Sequence, residues 1–432
     1  MTPTINQAED FLKTRLRFGI QMGLKRINAL LYQAGNPHKS FPTILIGGTN
    51  GKGSTAAFLT RILKEAGFRV GSYTSPHLVT YRERMAVDGC LIEAKDFSKQ
   101  LEQSQNIAAT VNRNSSMGEA TEFEILTLMG LCHFAEQQVD VAVVEVGLGG
   151  RLDSTNAINP ILSLVTNIDL EHTDRLGNTL LDIAREKFGI SRRHVPFITA
   201  ERKPEICNWF KAECVKKETP LTIVNENSRW QNIRLSNDGI HADFQTCHGI
   251  YADLLIGPAG EFQLDNFSCA LTAVECLRNQ GWRIPDDAIY KGAASTICRG
   301  RFETIGNNPT IIADAAHNPA AAQILGRTLS TLFPKQNLIL VIGVLNDKNA
   351  RGILGHLAPL ASNIFTAELN SDRGMSAVAL ADLCKIWDKP VSVVTTPTSA
   401  LEAALSSANS EDIICVTGSL YMLGELPHYA AI

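Results

Sequence analysis

The alternation of apolar and polar residues along the chain predicts an α/β protein. Apolar residues recur at helical spacing over residues 5–34, which predicts a helical lead-in that is broken around 18–23. Continuous apolar runs that fit buried strands then alternate with helical patterns, and such runs are typical of a parallel sheet covered on both faces. The strand-like runs lie at 43–47, 69–74, 139–146 and 161–168. A strongly apolar helix lies at 121–138, and Thr121 with Glu124 predicts a capping box at its start.

The second half of the chain changes character twice. Residues 228–260 contain short alternating stretches separated by turn residues, which predicts a small β subdomain before a helix at 266–279. From Thr304 onward, strand-like runs alternate with helical patterns in the order of a doubly wound parallel sheet. We therefore predict an N-terminal domain at 1–295, a hinge at 296–303 and a C-terminal domain at 304–432.

The most informative stretch joins the strand at 43–47 to the helix that follows it. Its sequence GTNGKGST lets backbone N–H groups turn inward at the glycines and bind an anion together with the helix N-terminus. Lys52 would reach the β- and γ-phosphates of a nucleotide, and the hydroxyls of Ser54 and Thr55 suit Mg²⁺. The common phosphate-loop pattern differs here at Ile46 and Gly53. We predict a variant nucleotide-binding loop, with a glycine-rich connection and an incidental lysine as the alternative.

Other polar residues stand at the ends of predicted strands. Ser75, Pro76 and His77 follow the strand at 69–74, and in a parallel sheet they should open on the same crevice as the glycine-rich loop. Taken alone, His77 favours a capped turn, and its position beside the loop makes a role in the crevice equally tenable. Glu145 interrupts an otherwise apolar strand, and because a buried carboxylate is costly unless it holds a cation, we interpret it as a Mg²⁺ ligand.

Further candidates converge on this crevice from later segments. His172 follows the strand at 161–168 and Lys187 lies on the next helix, although a lone histidine or lysine is more often found in packing or in solvent. Asp314 and His317 follow a strand of the C-terminal half, so that half could close over the first crevice. Phe123 would meet a flat ligand ring or, more commonly, pack in the core.

Composition and charge narrow the function classes. The 432 residues carry a net charge of −4 without a basic tract, which gives no electrostatic footprint for nucleic acid. The ten cysteines are scattered without zinc-site spacing, so they fit small apolar residues in a reducing compartment. No run approaches the roughly 20 apolar residues of a membrane span. We expect a cytoplasmic protein that binds neither nucleic acid nor membranes.

Taken in order, seven motifs resemble one family. They are GTNGKGST, TSPHL, EVGLGGRLDSTN, IAREKFGI with His172 before it, GRFE, DAAHNP and GSLYMLGE. The chain resembles the folylpolyglutamate synthase/dihydrofolate synthase family, relatives of the Mur peptide ligases. The resemblance implies an N-terminal P-loop ATPase-type domain with a small β subdomain, plus a C-terminal Rossmann-like doubly wound domain, with ATP bound between them. Small departures from the family pattern fall at Ala315 and in the segment containing Asp347 and Lys348.

The resemblance also implies roles for individual residues. It implies ATP contacts at Gly48, Thr49, Asn50, Gly51, Lys52, Gly53, Ser54, Thr55, Asn266, Arg301 and Asp314. It implies metal ligands at Ser54, Ser75, Glu145, His172 and Lys187, the lysine acting as a carbamate. It implies pterin contacts at Gly19, Ile20, Gln21, Met22, Thr121, Glu122, Phe123, Glu124, Leu152, Asp153 and Ser154. We expect catalytic roles for Lys52, Glu145, His172, Lys187 and His317.

The activity that follows is the ATP-dependent ligation of L-glutamate to dihydropteroate and to folate γ-carboxyl groups through an acyl phosphate. We expect ATP and two Mg²⁺ ions as cofactors, K⁺ as a further candidate cation, and a monomer. Three alternatives remain: folylpolyglutamate synthesis alone, a Mur-type ligase acting on a UDP-linked substrate, and a regulatory nucleotide-binding module. The last would need neither Glu145 with His172 and Lys187 nor a second set of cleft residues.

Overall fold

The fold is taken from a computed structural model that describes residues 4–16, 19, 21–114, 117–236 and 239–430. Ile20, one of the predicted pterin contacts, lies outside these ranges.

An eight-stranded sheet forms the centre of the N-terminal part. Its strands are β1 Thr43–Gly47, β2 Val70–Tyr73, β3 Met85–Val87, β4 Cys90–Leu91, β5 Val141–Glu145, β6 Leu162–Val165, β7 Phe197–Thr199 and β8 Leu221–Ile223. Their order is β4-β3-β2-β5-β1-β6-β7-β8. All neighbours pair in parallel except β2 with β3 and β3 with β4. The carboxyl ends of β1, β2, β5 and β6 therefore share one edge, as predicted.

Helices cover both faces of this sheet. They are α1 Ile5–Arg15, α2 Lys25–Gln33, α3 Lys52–Glu65, α4 Ala94–Asn114, α5 Glu122–Glu136, α6 Thr173–Leu176, α7 Leu180–Phe188, α8 Pro204–Lys217, α9 Val224–Asn227, α10 Phe262–Asn279 and α11 Asp286–Ser295. One buried cluster packs α1, α2, α4, α5, α7 and α8 on one face, and another packs α3, α10 and α11 on the other. The lead-in at 5–34 is two helices, as its interrupted pattern predicts.

The start of α5 shows how local sequence fixes an element. The Thr121 hydroxyl accepts a hydrogen bond from the Glu124 amide, and the Glu124 side chain accepts one from the Thr121 amide. This confirms the predicted capping box. Glu124 Oε2 also accepts a hydrogen bond from Arg26 Nε at 2.8 Å, which ties α5 to α2 through a buried ion pair.

The predicted β subdomain is a three-stranded antiparallel sheet. It consists of β9 Arg229–Ser236, β10 Gly239–Thr246 and β11 Gly249–Ile256. Ile240, Phe244 and Ile256 are fully buried and join the apolar cluster that contains α10 and α11. The small sheet therefore packs against the N-terminal part through α10 and α11.

A second sheet forms the C-terminal part, with the alternation of strands and helices that the sequence predicts. Its strands are β12 Glu303–Gly306, β13 Thr310–Asp314, β14 Leu338–Ile342, β15 Ala361–Ala367, β16 Val391–Val394 and β17 Ile413–Thr417. Its helices are α12 Pro319–Leu332, α13 Ala350–Leu357, α14 Ala377–Cys384, α15 Pro397–Ser407, α16 Leu420–Gly424 and α17 Pro427–Ala430. The order is β12-β13-β17-β14-β15-β16, and only β12 runs antiparallel to its neighbour.

Buried apolar clusters lie on both faces of the second sheet, as a doubly wound architecture requires. Across the described ranges, none of the helices combines the length and apolar character needed to cross a membrane.

Candidate active site

A cleft of about 470 Å³ lies between the two parts of the chain. The N-terminal part contributes the glycine-rich loop, residues 75–78, Glu145 and His172. The C-terminal part contributes residues 314–317, Lys348, Arg373 and residues 418–421, and Arg301 enters from the connecting segment. Residues that are far apart in sequence thus face one cleft, at the strand ends where an open α/β sheet binds ligands.

The glycine-rich loop leads from β1 into α3 in a conformation that requires glycine at two positions. Gly48 and Gly51 have φ values of +132° and +84°. A Cβ atom at Gly48 would overlap Thr166, and one at Gly51 would overlap the Asn266 amide group. Asn266 of α10 therefore lies directly against the loop, next to the N-terminus of α3. This arrangement leaves the first turn of α3 open to an anion in the cleft.

Two lysines converge on the carbonyl of Gly48. Lys52 Nζ donates to the carbonyls of Gly48 and Thr49, both at 2.9 Å. Lys187 Nζ donates to the Gly48 carbonyl and to Glu171 Oε1, both at 2.8 Å. Burial, reinforced by the charge of Lys52, lowers the pKa of Lys187 to about 8. The neutral amine is therefore accessible near physiological pH.

Glu171 is a site residue that the sequence analysis missed. Burial alone would raise its pKa, but the charges of Lys52 and Lys187 bring that pKa below its ordinary value. The carboxylate is thus ionised beside two ammonium groups. Its position directly before His172 is the signal that could have drawn attention to it.

Glu145 lies at the end of β5, where the sequence analysis placed it, and it is buried. Its Oε2 atom accepts a hydrogen bond from the Ser75 amide at 3.1 Å. Burial raises its pKa, while the charges of Lys52 and Arg301 and the Ser75 hydrogen bond oppose that rise. Ser54 of α3 is buried beside it, and a Cβ atom on Gly53 would lie 3.6 Å from Glu145 Oε2.

The two histidines that are expected to act in catalysis, His172 and His317, are neutral at neutral pH. Burial lowers the pKa of His172, the N-cap residue before α6, whose backbone is left-handed with φ +46°. Burial also lowers the pKa of His317 to about 4. His317 Nδ1 lies 2.9 Å from the Ala315 carbonyl, so the geometry assigns the proton to Nδ1 and leaves the Nε2 lone pair available.

His77 and Arg84 form a further polar contact at the cleft wall. Arg84 Nε donates to His77 Nδ1 at 3.0 Å. Burial, followed by the charge of Arg84, lowers the pKa of His77 to about 3, which keeps its ring neutral as the acceptor. His77 lines the cleft, as its predicted place at a strand end requires. Arg84, Lys348 and Arg373 were not predicted as site residues.

The predicted pterin segments gather around the loop at 147–150. The Gly23 amide donates to the Leu152 carbonyl at 3.2 Å, and a Cβ atom on Gly149 would lie 3.6 Å from the Met22 side chain. The Phe123 ring is partly buried in the core and packs against Gly147, which itself lines the cleft. Gly19 and Gln21 lie in the same lead-in segment between α1 and α2.

Three carboxylates of these segments are engaged within the protein. Asp153 accepts hydrogen bonds from the Leu148 amide at 2.8 Å and from the Thr155 amide at 3.0 Å. Glu124 is bound to Arg26 and to Thr121, and Glu122 reaches Arg84 at 3.4 Å. Ser154 is buried next to Asp153. These contacts fix the shape of the region beside the cleft.

The donor set at Ser54, Ser75, Glu145 and His172 fits a divalent cation. All four residues line the cleft, and they offer two hydroxyl groups, a buried carboxylate and a neutral imidazole. Oxygen donors suit Mg²⁺, and a neutral ring nitrogen can complete a coordination sphere. Lys187 stands behind them, within hydrogen-bond distance of the loop rather than on the cleft surface.

Known proteins share both halves of this architecture. The Mur ligase middle domain family matches residues 46–274, and the Mur ligase glutamate ligase domain family matches residues 300–420. The dihydrofolate synthase/folylpolyglutamate synthase of Bacillus subtilis is 31% identical over 428 residues, covering 99% of this chain and 99% of that protein.

Two solved structures show what similar proteins bind. Escherichia coli FolC in complex with DHPP and ADP is 31% identical, with a TM-score of 0.86 and coverage of 98% of this chain and 97% of that chain. The bifunctional folylpolyglutamate synthase/dihydrofolate synthase of Yersinia pestis, complexed with AMPPNP and a Mn ion, is 28% identical, with a TM-score of 0.83 and coverage of 98% and 97%. The chain belongs to the dihydrofolate synthase/folylpolyglutamate synthase family of ATP-dependent ligases, within the Mur ligases.

Proposed function

We propose that this enzyme joins L-glutamate to dihydropteroate, and also to the γ-carboxyl group of folates, at the expense of ATP. The observation that carries the proposal is the single cleft in which the glycine-rich loop and Glu145 face Arg301 and His317. The DHPP and ADP bound by the Escherichia coli relative support a pteroate-type substrate and ATP for this enzyme.

ATP binding is assigned to the loop and to the residues that surround it. The phosphates would lie over the N-terminus of α3, where Gly48 to Thr55 supply backbone N–H groups and hydroxyls. Asn266 lies against the loop, while Arg301 and Asp314 approach from the opposite side of the cleft. Lys52 would exchange its loop carbonyls for phosphate oxygens.

The first chemical step activates a carboxylate, which is a poor electrophile in water. A carboxylate oxygen of the pteroate attacks the γ-phosphorus in line, the bond to the β-phosphate bridging oxygen breaks, and ADP leaves with that electron pair. The product is an acyl phosphate. Lys52 stabilises the charge that develops on the phosphoryl oxygens, and Arg301 acts from the far wall.

In the second step, the amine of glutamate attacks the acyl carbon. The tetrahedral intermediate collapses, the bond to the phosphate oxygen breaks, inorganic phosphate leaves and the nitrogen loses a proton. His317 lines the cleft with its Nε2 lone pair available, so we assign it as the acceptor of that proton. The basic side chains of Lys348 and Arg373 on the C-terminal wall are candidates for binding the carboxylates of glutamate.

Metal binding is assigned to Ser54, Ser75, Glu145 and His172, with a carbamate on Lys187 supporting a second ion. When bound, Mg²⁺ supplies Lewis-acid stabilisation of the phosphoryl oxygens. The Mn ion in the Yersinia pestis relative supports a divalent cation. We propose that two Mg²⁺ ions bind in the cleft and that K⁺ is a further candidate cation.

The pterin is proposed to bind beside the loop at 147–150. We assign its contacts to the predicted segments 19–22, 121–124 and 152–154. Of these, Met22 and Phe123 lie against the loop, and Gly147 connects the loop to the cleft. Residues 296–303 are proposed as the hinge, since α11 ends at Ser295 and β12 begins at Glu303.

All ten cysteines are free thiols, which supports the proposed cytoplasmic location. The monomeric state stays a prediction.

The proposal is tested by following ADP release from the purified enzyme with four carboxylate arms. These are dihydropteroate, a folate monoglutamate, a UDP-linked peptide precursor and no carboxylate, each with and without L-glutamate. Sustained release is expected only with dihydropteroate or folate together with glutamate. Turnover with folate but not with dihydropteroate would refute the proposed dihydrofolate synthase activity. Turnover with the UDP-linked compound alone would contradict the proposed substrate class.

A further inference from the structure

The segment that carries Arg301 into the cleft is a tightly constrained turn. Gly300 and Phe302, on either side of Arg301, have φ values of +62° and +50°. Phe302 is a bulky residue in the left-handed region, a conformation that persists only when its surroundings enforce it. The direction in which Arg301 leaves the backbone therefore depends on what fixes its two neighbours.

Asp314 fixes one side of this turn. Its Oδ2 atom accepts a hydrogen bond from the Phe302 amide at 2.8 Å, while its Oδ1 atom accepts one from the Ala316 amide at 2.8 Å. The Ala315 amide donates to the Gly300 carbonyl at 2.9 Å. The turn is thereby joined to the loop that follows β13 and that carries His317.

Glu303 and Tyr429 fix the other side. Glu303 Oε2 accepts a hydrogen bond from the Gly300 amide at 2.7 Å. The same oxygen accepts a hydrogen bond from the Tyr429 hydroxyl at 2.6 Å, although the two residues are far apart in sequence. Tyr429 belongs to α17 near the end of the chain and is only 1% exposed, so its ring cannot leave this position without disturbing the core.

Packing against helix α16 also restrains the turn at Gly300. A Cβ atom on Gly300 would lie 2.8 Å from the Leu423 side chain of α16, so the last helices press directly on the turn. Without the Tyr429 hydroxyl, the Glu303 carboxylate would lose the donor that orients it toward the Gly300 amide. Side chains such as Arg301, which must meet a ligand in a set geometry, are sensitive to displacements of this kind.

We propose that Tyr429 is a positioning residue, which acts through Glu303 and the Gly300 amide to aim Arg301 at the ATP phosphates. The C-terminal helix thus takes part in nucleotide binding without touching the nucleotide. The inference rests on the proposed role of Arg301, and its experiment is designed to separate the two.

The test measures KM for ATP, KM for glutamate and the melting temperature in full-length variants. Tyr429→Phe, which deletes only the hydroxyl, is expected to raise KM for ATP about 10-fold and to leave KM for glutamate within about 2-fold. Glu303→Ala should behave in the same way. Glu303→Gln, which keeps an acceptor oxygen, should stay within about 3-fold of the wild type.

A double variant distinguishes positioning from general destabilisation. Arg301→Ala should itself raise KM for ATP, and adding Tyr429→Phe to it should cause no further rise, because the residue through which the tyrosine acts is gone. Tyr290→Phe is the matched control, since its hydroxyl donates to the Ala252 carbonyl at 3.0 Å in the N-terminal part. It should leave KM for ATP unchanged.

The remaining outcomes contradict either the role of Arg301 in ATP binding or the positioning role of Tyr429. An unchanged KM for ATP in Arg301→Ala would refute the proposed role of Arg301 and with it the premise of the inference. A clear effect of Arg301→Ala combined with no effect of Tyr429→Phe, or with effects that multiply in the double variant, would refute the positioning role alone. If Tyr429→Phe fails to fold, the Glu303→Ala and Glu303→Gln pair decides by the same criteria.

Discussion

Replacing Lys52 by alanine is expected to lower kcat/KM for ligation by about 10³-fold or more, while the protein stays folded. The expected loss is large because the ammonium opposes negative charge that grows as the γ-phosphoryl group is transferred. The fold should survive, because Lys52 donates only to the carbonyls of Gly48 and Thr49 at the cleft surface. Steady-state ADP release and circular dichroism measure the two effects.

Lys64→Ala is the matched control for this experiment. Lys64 lies at the far end of the same helix and donates to the Asp88 carbonyl at 2.7 Å, away from the glycine-rich loop. It should retain wild-type turnover. A folded Lys52→Ala protein with near-normal turnover would show that the loop does not act on phosphate.

The second large effect is expected at Lys187. Replacement by alanine should reduce ligation by about 10²-fold, and acetate at high concentration should restore part of the activity by supplying a carboxylate at the vacated position. The reason is chemical: a free ammonium repels a metal cation, whereas addition of CO₂ to the neutral amine gives an anionic oxygen donor.

The environment of Lys187 favours this modification. Its pKa of about 8 means that the reactive neutral amine becomes more abundant as pH rises through 8, so carbamate formation should increase over that range. In the unmodified side chain, Nζ is instead bound to Glu171 and to the Gly48 carbonyl. Carbamylation would therefore require Glu171 to give up this ion pair.

Lys217→Ala serves as the comparison for the rescue. Lys217 is a half-buried lysine that donates to the Ser191 carbonyl at 2.7 Å and does not line the cleft. Acetate should not change the activity of its alanine variant. The carbamate would be ruled out if high-resolution density showed an unmodified amine and if removal of bicarbonate left wild-type activity unchanged.

The elements that sequence predicted well are those whose signals are local. The apolar run, glycines and amphipathic helix around Lys52 are contiguous, so strand, loop and α3 follow from one stretch of chain. The capping box at Thr121 and Glu124 spans a single helical turn. Glu145 was identifiable because a lone acid in a buried strand violates the pattern around it.

The features that escaped prediction depend on contacts between distant segments. Glu171 matters because the fold brings Lys187 and the Gly48 carbonyl to it, and neither partner is visible from its neighbours in sequence. The Tyr429 hydroxyl reaches Glu303 only after the second sheet has formed. The antiparallel strand β12 was also missed, since its four residues contain no buried apolar run and the strand is defined by its pairing with β13.

The side-chain partners of the predicted pterin segments were likewise beyond the sequence. The sequence places Glu124 at a helix start but does not indicate that its carboxylate forms an ion pair with Arg26 of α2. Arg84 follows a predicted turn without any pattern that singles it out, and its partner His77 becomes apparent only in three dimensions.

If ligation passes through an acyl phosphate, oxygen-18 is transferred from the substrate carboxylate to inorganic phosphate. Dihydropteroate labelled in its carboxylate is turned over with ATP and L-glutamate, and the released inorganic phosphate is analysed by mass spectrometry. If the carboxylate attacks the γ-phosphorus, one labelled oxygen per turnover stays with phosphorus when the amide forms, so labelled phosphate should appear in step with dihydrofolate. Unlabelled phosphate released together with a labelled ligation product would contradict the mechanism.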